Sequence, residues 1–141
     1  MATKREQILQ YLKGTTLAGT AAVGSRIYRS RADKFMPEEA PALNLLADNE
    51  DPNENTIGQV DAQLHIEVQV YHRGAEPDRL ADPVVEDVHA KVMADPRLGG
   101  LAVDIYENGT SWDFDEADRT ALLVRMRFTV WYRHNRNSLT N

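Results

Sequence analysis

The most regular feature of the chain is an alternation of apolar and polar residues. Apolar residues occupy every second position, namely Ala62, Leu64, Ile66, Val68 and Val70. The polar residues between them are Gln63, His65, Glu67 and Gln69. Because side chains alternate between the two faces of a strand, this run predicts a strand with one buried and one polar face. Such strands are typical of antiparallel sheets.

The last strand is predicted by a second alternating run, from Arg119 to Arg133. Its apolar face carries Leu122, Val124, Met126, Phe128 and Val130. Its polar face carries Arg125, Arg127, Thr129, Trp131 and Arg133. A straight strand of this length spans about 50 Å, whereas a compact domain of this size has a diameter of roughly 37 Å. We therefore expect the strand either to bend sharply or to project towards a partner.

Two helices are predicted on either side of the first alternating strand. Thr3 and Glu6 have the spacing of a capping box, which predicts a helix from about residue 4 to Lys13. The second helix is expected to begin at Asp82-Pro83 and to stop at Asp95-Pro96. Its apolar face consists of Leu80, Val84, Val85, Val88 and Val92.

The remaining segments predict short strands, turns and loops. The short strand candidates are residues 26–31, 42–47 and 101–106. Residues 48–56 and 113–118 are polar and acidic and predict loops, and Asn108-Gly109 predicts a turn. The predicted fold class is therefore α+β, with one mostly antiparallel sheet of about five strands and two helices packed on one face. We expect a single domain over residues 1–133 and a flexible polar tail over residues 134–141.

Length and composition narrow the class of protein. A chain of 141 residues is long enough to bury one core without covalent staples. It contains no cysteine, so disulfides and thiolate metal sites are excluded. No apolar run approaches the ~20 residues of a membrane span, and the N-terminus lacks the pattern of a secretory signal. We expect a soluble protein that stays in a reducing cytoplasm and does not interact with membranes.

The net charge of −6 conceals three blocks of opposite sign. Residues 1–36 carry a balance of +5, residues 37–118 a balance of −16, and residues 119–141 a balance of +5. Blocks of opposite charge attract each other either within a subunit or between subunits. The sequence alone leaves both possibilities open.

No residue pattern indicates a catalytic centre. The four histidines lack the spacing of a zinc motif, and neither a nucleophile elbow nor a phosphate-binding glycine loop is present. Four acids in one segment are weak candidates for a divalent cation: Asp113, Asp115, Glu116 and Asp118. The glycine of an EF-hand loop is missing, so a solvated loop is the favoured interpretation. We expect no enzymatic activity, no cofactor and no metal.

The polar face of the last strand is the most distinctive candidate surface. Arginines beside a tryptophan can bind single-stranded nucleic acid. Pairing of these arginines with Asp61 and Glu67 across the sheet is favoured instead, and the acidic net charge also argues against nucleic acid. Tryptophan beside arginine is typical of interface centres. The candidate interface residues are Arg125, Arg127, Trp131, Arg133, Glu67, Asp48, Glu50 and Asp51.

The run Ala62-x-Leu-His-Ile-Glu-Val68 resembles the central strand of a known family. The family is that of the tail terminators of lambda-like phages, the minor tail protein U family. The similarity continues through Pro77-Asp78-x-Leu80, Val92-Met93, Asp95-x-x-Leu98, Trp112-Asp113-Phe114-Asp115 and Thr129-x-x-Tyr132. This chain departs from the family in a longer N-terminal turn, the Gly99-Gly100 pair and a basic C-terminal tail.

The resemblance implies a structural phage or prophage protein. It implies a hexameric ring that caps the tail tube, stops tube polymerisation and offers a head-joining surface. The implied partners are further copies of the chain, the tail tube protein and the head–tail connector protein. The implied locations are the virion tail and, during assembly, the cytoplasm of the bacterial host. The alternatives are another small head–tail junction adaptor, a small nucleic-acid-binding module and, least favoured, an enzyme.

Overall fold

The protein consists of one five-stranded sheet with two helices on one face. A computed structural model describes residues 2–141, except for the side chain at position 55. The strands are β1 (Ile27–Arg29), β2 (Ala42–Thr56), β3 (Gln59–Arg73), β4 (Asp104–Phe114) and β5 (Ala121–Asn135). The helices are α1 (Lys4–Tyr11) and α2 (Pro77–Ala94). Short helical turns cover Leu12–Thr16, Pro37–Glu39 and Leu98–Gly100.

The strand order is β1-β2-β3-β5-β4, and every neighbouring pair is antiparallel except β1 with β2. The predicted α+β fold with a mostly antiparallel sheet is therefore confirmed. β3 and β5 pair along their whole length, from Gln59 opposite Asn135 to Arg73 opposite Ala121. The long last strand consequently has a partner strand at every residue.

The core lies between the helices and one face of the sheet, as the alternating patterns predict. Every apolar residue of the alternating run on β3 is buried, and so are Leu122, Val124, Met126, Phe128 and Val130 of β5. Ile8 and Leu9 of α1 and the valines Val84, Val88 and Val92 of α2 join the same cluster. Burial of this apolar surface is the dominant stabilising term for the fold.

Helix α1 begins where the capping signal predicts. The Thr3 hydroxyl accepts a hydrogen bond of 3.2 Å from the backbone N–H of Glu6, which satisfies one otherwise free donor of the first turn. The helix continues as a wider π-helical turn over Leu12–Thr16, so the predicted end near Lys13 is close to the observed one.

The acidic segment 48–56 is part of strand β2, and its prediction as a loop was wrong. Each residue pairs with β3 except at a bulge at Asp48 and an irregularity near the Ile57–Gly58 turn. Pairing with β3 outweighs the low strand propensity of Asp, Asn and Pro, because tertiary context dominates strand formation. β1 pairs only with residues 43–45, so Pro52 lies where β2 has no neighbour on its other side.

The start of α2 also differs from the prediction. The helix begins at Pro77, whose fixed φ suits a first helical position, and Pro83 lies inside it. Leu80 was assigned to the apolar face but is exposed, and Pro77 and Ala81 are buried instead.

Asn108-Gly109 forms a bulge within β4 and not a turn between two elements. The pairing register with β5 shifts between Glu107 and Thr110, and Gly109 adopts a φ of +100°. A glycine accommodates this conformation without the clash of a Cβ atom. The strand therefore continues to Phe114, and only the rest of the predicted 113–118 loop lies outside it.

The segment between β1 and β2 covers one end of the opposite sheet face. Phe35 stacks on Tyr71 with ring centres 4.9 Å apart, and Arg31 lies 4.3 Å from the Phe35 ring centre. Arg31 also forms a two-pronged ion pair with Glu39, with distances of 2.7 and 2.8 Å. This clamp holds the segment against Tyr71 and Ala121.

We expect the Arg31–Glu39 clamp to stabilise the protein in a pH-dependent way. Hydrogen bonds from Arg31 and then from the Met36 backbone N–H lower the pKa of Glu39 from 4.5 to about 2. A lowered carboxylate pKa contributes stability that is complete above about pH 4.5 and is lost as the pH falls towards about 2. Thermal melts across this range should therefore decline less steeply for Glu39→Gln than for the natural protein.

The matched control is Glu38→Gln at the exposed neighbouring position, which should leave the slope unchanged. Equal slopes for Glu39→Gln and the natural protein would show that the clamp does not contribute to folding.

Residues after β5 return to the first helix and the β2–β3 turn. The Lys4 N–H donates to the Leu139 carbonyl at 2.7 Å, and the Arg136 N–H donates to the Gly58 carbonyl at 2.8 Å. The flexibility expected of residues 134–141 stays a prediction, as does the domain boundary at residue 133.

Candidate assembly interface

The sheet face opposite the helices carries a row of arginines on β5 that contact acids of neighbouring strands. Arg125 lies 3.0 Å from Glu67 and 2.8 Å from Asp113. The Nε atom of Arg133 lies 2.7 Å from Asp61. The Asp113 carboxylate, followed by that of Glu67, raises the pKa of Arg125 against the opposing effect of partial burial. The pairing predicted across the sheet is thus observed, and it neutralises much of the basic face.

A hollow of about 160 Å³ opens at the centre of this face. It lies between the bulge at Asp48 in β2 and the bulge at Asn108 in β4. Bulges redirect side chains and are frequent beside functional sites. Three candidate residues, Asp48, Glu67 and Arg127, line the hollow together. We call this feature the central hollow; its lining residues are Asp48, Asn49, His65, Ile66, Glu67, Asn108 and Arg127.

Arg127 has the longest ion-pair contact of the three arginine candidates. Its side chain is 40 % exposed, and its one ion pair among the described residues is a 3.5 Å contact of Nε with Glu67. Asp48 is also exposed, and no ion pair joins it to any other described residue. The central hollow therefore presents an arginine and a carboxylate that a partner can bind.

Trp131 is half-buried and does not stand free on the surface. Its indole Nε1 is buried without a hydrogen-bond partner among the described residues. The guanidinium of Arg133 lies 5.7 Å from the ring centre, within the range of a cation–π contact. An indole N–H normally finds an acceptor when it is buried, and no described residue supplies one here.

The two remaining candidates, Glu50 and Asp51, differ in accessibility. Glu50 accepts a 2.5 Å hydrogen bond from the Tyr132 hydroxyl and lies 3.0 Å from Arg5, and its side chain is mostly buried. Burial and then the Glu50 carboxylate raise the pKa of Tyr132. Asp51 is exposed and lies 2.8 Å from His65 Nε2. Glu50 thus serves contacts within the subunit, whereas Asp51 is accessible.

The weak divalent candidates have other contacts in the structure. Asp113 contacts Arg125, and the side chain of Asp118 contacts Arg73. The backbone N–H of Ala117 lowers the pKa of Asp115, and the hydroxyl of Thr120 lowers that of Asp118. Glu116 is exposed. Across residues 2–141, no group of three metal-ligating side chains comes together.

Other exposed apolar side chains were not identified from the sequence. Trp112 on edge strand β4 is 57 % exposed, and Ile57 at the β2–β3 turn is 96 % exposed. Ile57 precedes Gly58 between two polar segments, and this position could have indicated an exposed turn residue. The indication is only usable once the two segments are recognised as the strands of a hairpin. In the part of the chain that the structure describes, no helix is long and apolar enough to span a membrane.

Comparisons with known proteins identify a fold relative. No protein-family model and no curated protein matches this sequence. A chain of the solved structure described as "Virion of native gene transfer agent (GTA) particle" is similar, with a TM-score of 0.52 and 13 % identity. The similarity covers 90 % of this chain and 92 % of that chain. The two proteins therefore share one fold over nearly their whole lengths.

Proposed function

We propose that this protein is a structural component of a phage or prophage particle and acts as a tail terminator. The observation that carries the proposal is the fold shared with a chain of a gene transfer agent virion over 90 % of this chain. In this function the subunits form a ring, six-membered as the family resemblance implies. The ring caps the tail tube, stops its polymerisation and offers a surface to the head–tail connector protein.

The chemistry of the polar sheet face fits assembly better than catalysis. His65 contacts both Asp51 and Thr129, so the three side chains follow the acid–histidine–hydroxyl order of a catalytic triad. However, the Thr129 side chain is buried with 1 % exposure, so a substrate cannot reach its hydroxyl. The ionisable groups beside it are joined in ion pairs across the strands. Such a face can meet another polar surface, and it lacks an activated nucleophile.

The nucleic-acid alternative loses support from the same contacts. Arg125 and Arg133 each contact a carboxylate within 3.0 Å, so they are not free to neutralise phosphates. Partner binding through the central hollow, by contrast, requires only the accessible groups of Arg127 and Asp48.

Tail-tube assembly provides the direct test. Tail tube protein is allowed to polymerise in the presence and in the absence of this protein. Negative-stain electron microscopy then records the length of the tubes and the appearance of their ends. We expect shorter tubes with a ring at one end, and sedimentation should show the two proteins together. Unchanged tubes combined with binding to the connector protein would identify a head-side adaptor instead. Binding to neither would contradict a role at the tail end.

A further inference from the structure

A groove of about 490 Å³ lies at the end of the sheet where β3 finishes. The segment 31–35 forms one wall, and the segment 113–116 forms the other. Its floor includes Tyr71 and Leu123 from the sheet. We call this feature the end groove. Its volume is within the range of sites that bind several apolar side-chain atoms at once.

The floor of the end groove contains a buried polar group. Tyr71 is 95 % buried, and no described residue meets hydrogen-bond geometry with its hydroxyl. The hydroxyl is nevertheless close enough to raise the pKa of Arg73. A buried hydroxyl without a well-aligned partner costs free energy.

The opposite end of the sheet presents an apolar residue to solvent. Ile57 lies at the tip of the β2–β3 hairpin with 96 % of its side chain exposed. From Gln59 to Tyr71 a straight strand rises about 40 Å, so this tip cannot reach the end groove of its own subunit. An exposed isoleucine on a rigid hairpin is a suitable anchor for a pocket on another copy.

The charges around the two ends are complementary. Asp33 and Glu116 line the end groove, and neither forms an ion pair with another described residue. Arg136 lies beside the hairpin tip, because its N–H donates to the Gly58 carbonyl. Its side chain is 68 % exposed, and its contact with Glu54 is a long 3.7 Å. A tip with an exposed, weakly paired arginine thus faces two unpaired acids of the groove, whose lining also holds the exposed Lys34 at 3.6 Å from Asp115.

We propose that the β2–β3 hairpin tip of one copy docks into the end groove of the next copy. Ile57 enters the groove over Tyr71 and Leu123, and Arg136 faces Asp33 or Glu116. The contact joins two different surfaces of the subunit, so it repeats head to tail and closes into a ring where the rotation permits. The inference rests on the proposed ring and assigns its subunit contact.

Engineered cysteines test this contact without competing disulfides, because the natural chain contains no cysteine. Ile57→Cys is combined with Ala32→Cys on one wall or with Glu116→Cys on the other, and mild oxidation follows in the presence of tail tubes. A disulfide requires Cα atoms roughly 4.4–6.8 Å apart. We expect a ladder of linked oligomers from at least one double variant. Mixed single variants should yield only the linked heterodimer.

The outcomes separate this inference from the proposed function. Rings on tube ends without any cross-link in either double variant would overturn the docking contact and leave the tail terminator intact. A homodimer from Ile57→Cys alone would show a tip-to-tip contact and also overturn it. A cross-linked ladder with tubes that still elongate would support the contact and contradict tail termination.

A substitution without cysteine gives a second readout. Ile57→Asp should reduce self-association at least tenfold in sedimentation experiments while the melting temperature is unchanged, because the side chain is 96 % exposed in its own subunit. Trp112→Asp is the matched control, an exposed aromatic on the edge strand that should leave association intact. Equal association of Ile57→Asp and the natural protein would exclude the hairpin tip as the anchor.

Discussion

Arg127→Glu is expected to abolish tube binding while changing the free energy of unfolding by less than about 1 kcal/mol. Arg127 is the accessible cation of the central hollow, and its 3.5 Å contact with Glu67 is weak. A glutamate at this position would stand beside Glu67 and Asp48, so three carboxylates would repel any acidic partner group. Electron microscopy with tail tubes measures the loss, and thermal melting measures stability.

Lys13→Glu is the control for this charge reversal. Lys13 is exposed and has no ion pair with another described residue, so its reversal changes the net charge equally without altering the central hollow. Normal assembly by Arg127→Glu would show that the polar sheet face is not an assembly surface. Loss of assembly by both variants would indicate a general effect of net charge.

Phe128→Ala is expected to destabilise the protein by about 3–5 kcal/mol, a large part of the stability of a small domain. Phe128 is 1 % exposed and pairs with Ile66 in the centre of the sheet. Its truncation leaves a cavity that the surrounding strands cannot close, because β3 and β4 are both held to β5 by backbone hydrogen bonds. Urea denaturation measures the loss.

The neighbouring substitution Arg127→Ala serves as the comparison, since the two side chains point to opposite faces of the same strand. It should cost no more than about 0.5 kcal/mol. A loss below about 1 kcal/mol for Phe128→Ala would show that the alternating pattern does not define the buried face. Together, the two variants separate the packing role of β5 from its surface role.

The faces of the two long strands could be predicted because they depend on a local rule. Leu64 and Ile66 must share a face in any extended chain, and so must Phe128 and Val130. The pairing of Arg125 with Glu67 followed once the two strands were assumed to be neighbours. The capping of α1 by Thr3 is likewise local, because the hydroxyl and its donor are three residues apart.

The errors occurred where distant segments decide local structure. Residues 48–56 have the composition of a loop, but β3 supplies a complete set of hydrogen-bond partners. Pro83 carries the sequence signal of a helix start, but the helix that packs on the sheet already begins at Pro77. In both places the free energy of tertiary contacts outweighs an intrinsic preference of at most a few kcal/mol.

The candidate surface was predicted only in part for the same reason. The sequence identified Arg127 and Trp131 as members of one polar face, because alternation places them there. It could not show that Glu50 is committed to Tyr132 and Arg5, since those residues come from different parts of the chain. Nor could it show the central hollow, which exists because bulges in β2 and β4 lie on either side of β3 and β5.

The sequence by itself determined the fold class, the buried faces of β3 and β5 and the absence of cysteine chemistry. These properties follow from residue type and from a period of two along a strand. Only the tertiary structure decided which charges are free and which cavities exist. Strand order places Asp48 and Arg127 around one hollow, and the length of β3 separates Ile57 from the end groove of its own subunit. Distances between residues remote in sequence arise from packing, and no local pattern encodes them.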